Sequence, residues 1–499
     1  MELQFNKAPL RCLQRAVWDI QSEEQTQEYR LPDAMPDIGR VLASWGQVLI
    51  RGKEWRGGSM GVSGGVMVWV LYAPEDGGEP RSVETWLPFQ CRWSLSDTER
   101  DGAIRVVPLL RSVDARTLSA RKLMIRANLS VLGEAWAPYQ AELYTPGELP
   151  PDVELLKRSY PMRVPKEAGE KAFTMEEELT LPASAPTPQK LISYQLQPEL
   201  TDQKIMADKV VFRGSAVLHV VYQAEDGCLK NWDFEGSFSQ YGELEREYDP
   251  NAAASILPLV TSLELELAED GHISMKAGIA GQYVICDREV LELVEDAYSP
   301  NRDVGIQMGK LELPLILDMR AQTVQAEQAM ESDGSQVIDT AFYGTHPSLR
   351  RMGNAVSMEL AGMWQVLYYD GNGSVQSVTP RWEEQMELPA DQDTTINAWL
   401  QLTGRPQAAA GGGSLHCSAD MLVDAVTTSE QGLPMATSLS LGELSEPDPA
   451  RASLILRRAG SEGLWSLAKR TGSTVAAIRK ANNLENEPDP ERMLLIPIA

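Results

Sequence analysis

The chain has 499 residues, room for about three or four domains of ordinary size, and its 43% hydrophobic and 23% charged residues separate it from disordered sequences. Asp and Glu number 71 against 45 Lys and Arg. So acidic a surface repels phosphate backbones and anionic lipid, which argues against nucleic-acid and membrane-surface binding. The five cysteines (Cys12, Cys91, Cys228, Cys286 and Cys417) are odd in number, widely spread and form no C-x-x-C pair. That usage fits a reducing compartment better than a disulfide framework.

The opening residues, MELQFNKAPLRCLQRAVWDIQSEEQTQ, contain no apolar h-region, and no stretch reaches the roughly 18 uncharged apolar residues of a membrane span. The chain is expected to stay in the cytoplasm. The Gly-rich GGSMGVSGG (57–65) lacks Gly-Lys-Ser/Thr and is expected to be a loop, not a phosphate cradle. Next, VWVLYAPEDGG (68–78) is an apolar run ending at Tyr72 and followed by an acidic, Gly-containing turn, which predicts a strand entering a hairpin.

That text returns as LHVVYQAEDGC (218–228) and WQVLYYDGNGS (364–374), with Tyr222 and Tyr368 displaced by 150 and then 146 residues. The offset of 150 also lays LPDAMPDIGRVL (31–42) on LPASAPTPQKLI (181–192), VPLLRSV (107–113) on LPLVTSL (257–263), and LMIRANLSV (123–131) on ISMKAGIAG (273–281). Ungapped matches at one offset mark a duplication. A third copy is more diverged; GGSLHCSADMLVDAV (412–426) places Ala419 near the position of Ala127.

Within the copies the pattern has period two, as in LELELAEDGHISMKAGIAGQYVI. The expected fold class is therefore mostly β: sandwich-like β-domains at 1–160, 161–310 and 311–445. PPDVELLKRSY (150–160) reads as a short helix starting on proline, among Pro-rich joints at YTPGELPPD and LPASAPTPQ. A linker, LSEPDPA (444–450), leads to a small terminal unit at 451–499.

In that unit Leu454 and Leu456 alternate as in a strand, and Leu464, Leu467 and Ala468 share one helix face. Gly472 suits a left-handed C-cap and Thr474 the N-cap of a second helix, in which Val475 and Ile478 face inward. Asn482-Asn483 ends that helix and MLLIPIA closes as a strand, giving the order β-α-α-β. The unit carries a net +3, so with the whole chain at −26 residues 1–450 carry −29. A mildly basic tip on an acidic body suits an acidic partner, although single surface charges of this kind are most often simply solvated.

Signs of chemistry are few. His219, His272, His346 and His416 are isolated, and His416-Cys417, adjacent in a predicted strand, point to opposite faces. The acidic pairs Glu75-Asp76 and Glu225-Asp226 fall in turns, where Asp and Gly serve the backbone. No nucleophile–base pair is arguable, so neither enzyme activity, nor a metal, nor a cofactor is expected.

The terminal unit resembles a LysM domain through Leu464-Trp465-Ser466, Ala468-Lys469, Gly472, Thr474-Val475, Asn482-Asn483-Leu484 and Leu495-Ile496-Pro497. LysM domains bind N-acetylglucosamine polymers across the loop before the first helix and the loop after the second. This chain departs at those loops, with Ser461-Glu462-Gly463 in the first and the insertion ENEPDPE, through Glu491, in the second. Pro36-Asp37-Ile38 ahead of Val70-Leu71-Tyr72 and its acidic turn is similar to the SPOCS domain of spore-coat proteins; copy two has Thr187-Pro188 where Asp-Ile stood. SPOCS domains followed by one LysM resemble the SipL type of coat morphogenetic protein.

The resemblance implies a non-enzymatic structural adaptor in the mother-cell cytoplasm at the forespore surface. Its partners would be the SpoIVA coat ATPase and other coat proteins, with N-acetylglucosamine glycan of cortex or wall as the alternative. Candidate contact residues are Ser461, Glu462, Leu464, Trp465, Lys469, Arg479, Asn482 and Asn483. Trp465 reads first as a packed structural residue and second as a stacking platform; Leu464 and Ile478 read as core.

Overall fold

The computed structural model describes residues 1–95, 102–313, 315–429, 432–445 and 452–498. The chain is mostly β, with 25 strands and two short helices among the described residues. After a short β1 (Glu2–Gln4), the first repeat runs β2 (Asn6–Arg30), β3 (Ile38–Arg56), β4 (Ser59–Pro74), β5 (Arg81–Ser94), β6 (Ala103–Ser119) and β7 (Lys122–Thr145). These make two antiparallel sheets, β2-β7-β6 and β3-β4-β5. Apolar residues at alternate positions, among them Val66, Val68, Leu87, Leu123 and Ile125, meet between the sheets.

The second repeat repeats the plan with β8 (Glu154–Leu179), β9 (Pro188–Met206), β10 (Lys209–Ala224), β11 (Leu229–Glu243), β12 (Ala253–Leu267) and β13 (Ile273–Tyr298). Both ends of β9 and β10 lie 150 residues beyond those of β3 and β4. In the third repeat the first strand is interrupted into β14 (Val304–Leu311) and β15 (Leu315–Glu331). There follow β16 (Gly334–Gly344), β17 (Ser348–Met352), β18 (Ala355–Asp370), β19 (Val375–Val378) and β20 (Arg381–Pro389). The repeat ends with β21 (Thr394–Gly411), β22 (Ser414–Ser429) and β23 (Leu433–Leu441).

The repeats close a ring. β3 lies against β12, β9 against β21, and β16 against β6, a cyclic set of neighbours that defines an approximate threefold axis. The outer strands continue past the ring as two-stranded ribbons: Asn6–Arg15 on Trp136–Thr145, β8 on the end of β13, and β14 on β23. The three ribbons pack into a stalk around Leu10, Cys12, Val164, Leu291, Leu293, Leu311 and Met435. β1 adds to the free edge of β23, joining Glu2 to Ser440.

Two expectations are corrected. Residues 150–160 form no helix, because the chain from Glu154 pairs with β13, Glu154 opposite Tyr298, and this ladder overrides a local helical spacing. The Gly-rich 57–65 is a turn only at Gly57-Gly58, both at positive φ; from Ser59 it is β4. The glycines inside β4 serve close approach, since a Cβ on Gly65 would lie 2.2 Å from the Trp86 ring. The divisions at 160 and 310 fall inside β8 and β14.

The terminal unit is β24 (Leu454–Arg458), α1 (Gly463–Thr471), α2 (Val475–Asn482) and β25 (Met493–Pro497). Gly472 takes φ 65° after α1, the Thr474 hydroxyl accepts from Ala477 N at 3.0 Å, and Asn483 caps α2 at φ 48°. Leu464, Leu467, Ala468, Ile478, Leu494 and Ile496 form its core. Among the described residues no helix is long and apolar enough to cross a membrane.

Candidate docking interface

Helix α1 sits on the far end of the stalk. Trp465 Nε1 donates to Asp296 Oδ2 at 2.8 Å, and Lys469 Nζ donates to both oxygens of the same carboxylate at 2.7 and 2.8 Å. One helical turn apart, the two side chains reach the same acceptor. Tyr298 completes the contact, edge-on to Trp465 with ring centroids 4.8 Å apart, its hydroxyl donating to Ser473 O. Burial pushes Asp296 up, but the hydrogen bonds from Lys469 and Trp465 outweigh it and hold the carboxyl below its ordinary value.

The remaining candidate residues have diverse placements. Leu464 is buried in the core. Glu462 precedes α1 and pairs with Arg470 and with Arg457. Asn482 is structural: its amide donates to Ile478 O and Leu495 O and its Oδ1 accepts from Leu495 N, tying α2 to β25. Ser461, Arg479 and Asn483 are exposed. Between the two loops that flank the helices lies a cleft of about 240 Å³ whose walls include Ser461, Leu464, Glu487 and Pro488. Glu487 reaches into it and accepts from Leu464 N at 2.9 Å.

On the opposite side the β24–β25 sheet shows a bare apolar face. Leu456 stands opposite Leu495 in the ladder, with Leu454 and Met493 beside them, all exposed and Leu456 at 63%. Arg458, Arg479 and Lys480 are exposed on the same small unit. An apolar patch with basic neighbours is a surface suited to protein contact.

Sequence reading missed a second assembly, on the ring axis. Asp339 of β16 accepts from Trp45 Nε1 at 2.6 Å, from His219 (Nε2 at 2.7 Å) and from Arg405 at 3.2 Å; Asp233 lies 2.6 Å from His219 Nδ1. Asp339 and His219 are each 2% exposed. Burial pushes Asp339 up, but His219, Arg405 and Trp45 together hold it far below the ordinary carboxylate range. His219 and Arg405 also line an axial cleft of about 240 Å³ to which β3, β9, β16 and their cyclic neighbours contribute. The members are drawn from all three repeats, so no local motif announces them.

No family model, curated protein or solved structure matches this chain. The class of the protein, a three-repeat β ring with a stalk and a βααβ tip, is accordingly defined by its own geometry.

Proposed function

We propose that the chain is a structural adaptor of spore-coat assembly, of the SPOCS-plus-LysM type, working in the mother-cell cytoplasm at the forespore surface. Its terminal βααβ unit docks onto the SpoIVA-type ATPase layer, while the acidic ring offers repeated surfaces to other coat proteins. The observation that carries this reading is the exposed Leu454, Leu456, Met493 and Leu495 face on a unit held at the end of a stalk. Because Trp465 and Lys469 are taken up by Asp296, the partner meets the strand face and Arg479.

The test is capture of the host's SpoIVA-type ATPase by the full chain, by a chain ending at Pro449, and by Leu456→Asp. Capture by the full chain alone supports the reading; equal capture by all three, or by none, overturns it. A second reading, binding of N-acetylglucosamine glycan, is favoured by the cleft beside Leu464. It expects Glu487→Ala, which clears that cleft, to bring peptidoglycan sedimentation up from the level of the unmodified protein.

A further inference from the structure

Where the stalk meets the ring, each of the three long strand pairs loses register: between Arg15 and Val17, between Ile285 and Cys286, and between Ile316 and Asp318. The bulges surround a cavity of about 40 Å³ lined by residues of all three repeats. A water molecule occupies about 10–15 Å³, so the cavity has room for a small species.

The cavity wall has unbalanced charge. Arg105 donates from Nε to Glu134 Oε2 at 2.5 Å and from Nη1 to Ser255 Oγ at 2.9 Å. Arg15, largely buried, lies across from them with its Nη1 3.6 Å from Glu134 Oε1, too long for a hydrogen bond. Two guanidinium groups thus face one carboxylate. Another carboxylate, Asp424, lies outside the lining and accepts from Gln401.

The cavity also has unspent hydrogen-bonding groups. Trp136 Nε1, Trp399 Nε1 and Glu134 Oε1 are all buried without a partner, and all three belong to residues of this wall. Native interiors rarely leave even one such atom unmet. Two donors, an acceptor and a surplus positive charge on one small cavity specify what would fill it.

We propose that this cavity binds a small inorganic anion of chloride size, held by the indole N–H groups of Trp136 and Trp399 and by Arg15, with a water linking it to Glu134 Oε1. Water alone would meet the orphaned atoms but leave the second guanidinium uncompensated. The anion meets both needs and acts as a keystone, because its donors come from the first repeat (Arg15, Trp136) and the third (Trp399), with Ser255 of the second alongside.

The experiment compares thermal unfolding of the full chain in sodium chloride and in sodium gluconate at equal ionic strength, with bromide-soaked crystals read by anomalous scattering. Chloride is expected to raise Tm by about 2 °C or more in a saturable way, and bromide to appear between the two indoles. Trp399→Phe, which keeps the ring and removes the donor, is expected to lose most of that shift. Arg15→Met should behave likewise, and if it fails to fold Trp399→Phe decides. No chloride-dependent shift, a shift that survives Trp399→Phe unchanged, or a cavity holding only water in the bromide crystals overturns the proposal.

Discussion

Asp339 illustrates how much a single side chain can hold. It accepts from Trp45 in the first repeat, His219 in the second and Arg405 in its own, while almost fully buried. Removing one partner from such a network leaves the rest buried and unpaired, so Asp339→Ala is expected to lower stability by about 3–5 kcal/mol, measured as the shift in urea midpoint at unchanged m-value. The folded-state carboxyl is held below its unfolded value of about 3.9, so its contribution is complete above that pH and is lost as pH falls through the lower, folded value. Stability should therefore fall on the acid side, and less steeply in Asp339→Ala. Burial is the largest influence on four of the cysteines: it pushes Cys91 and Cys286 up to about 12 and Cys417 up to about 11, and raises Cys12. Cys228, in contrast, is only half-buried beside a turn. A thiol reagent should label Cys228 first in the native protein. Rapid labelling of two or more cysteines would contradict this.

Among the elements, what could be read in advance depended on where the stabilising contact lay. The helices of the tip were legible because their caps are local: Gly472, Thr474 and Asn483 stand within a residue or two of the ends they fix. The partner of α1 was not legible, since Asp296 is 169 residues away from Trp465 in sequence. The hairpins at Tyr72 and Tyr222 were legible from period and turn chemistry; Asp76 and Asp226 each accept from the backbone N–H two residues on. The full length of β2 was not. Its second half, SEEQTQEYR, shows only polar alternation because its inward face is merely half-buried. Gly64 and Gly214, in β4 and β10, are a paired case: a Cβ would come within 2.2 Å of Leu49 O in one and 1.9 Å of Glu199 O in the other. Neither has positive φ, so the demand is for space, not for backbone freedom. Gly64→Ala should cost about 1–3 kcal/mol in thermal or urea unfolding. A neutral result would mean that β3 can move away without loss.

At the scale of the molecule, the repeats share a stalk core, an axial network and cyclic strand contacts, so none has a complete surface of its own. The period was visible in sequence; the ring was not, because ties such as Gln195 to Gly46 and Gln282 to Val106 join residues of no shared pattern. Calorimetry of residues 1–445 should give one cooperative transition, with the van't Hoff and calorimetric enthalpies in agreement. Three resolved transitions would mean that the ring is a loose array. The pairing of β1 with β23 carries this further, into the order in which the protein is made. Glu2 leaves the ribosome long before its ladder partner Ser440, which emerges only after β22 has been synthesised. Until then β1 and the apolar ribbon face around Leu10 and Cys12 remain an open template for pairing with other nascent chains. Misassembly is therefore expected to rise where polysomes are crowded, which co-translational pull-down of neighbouring nascent chains would detect.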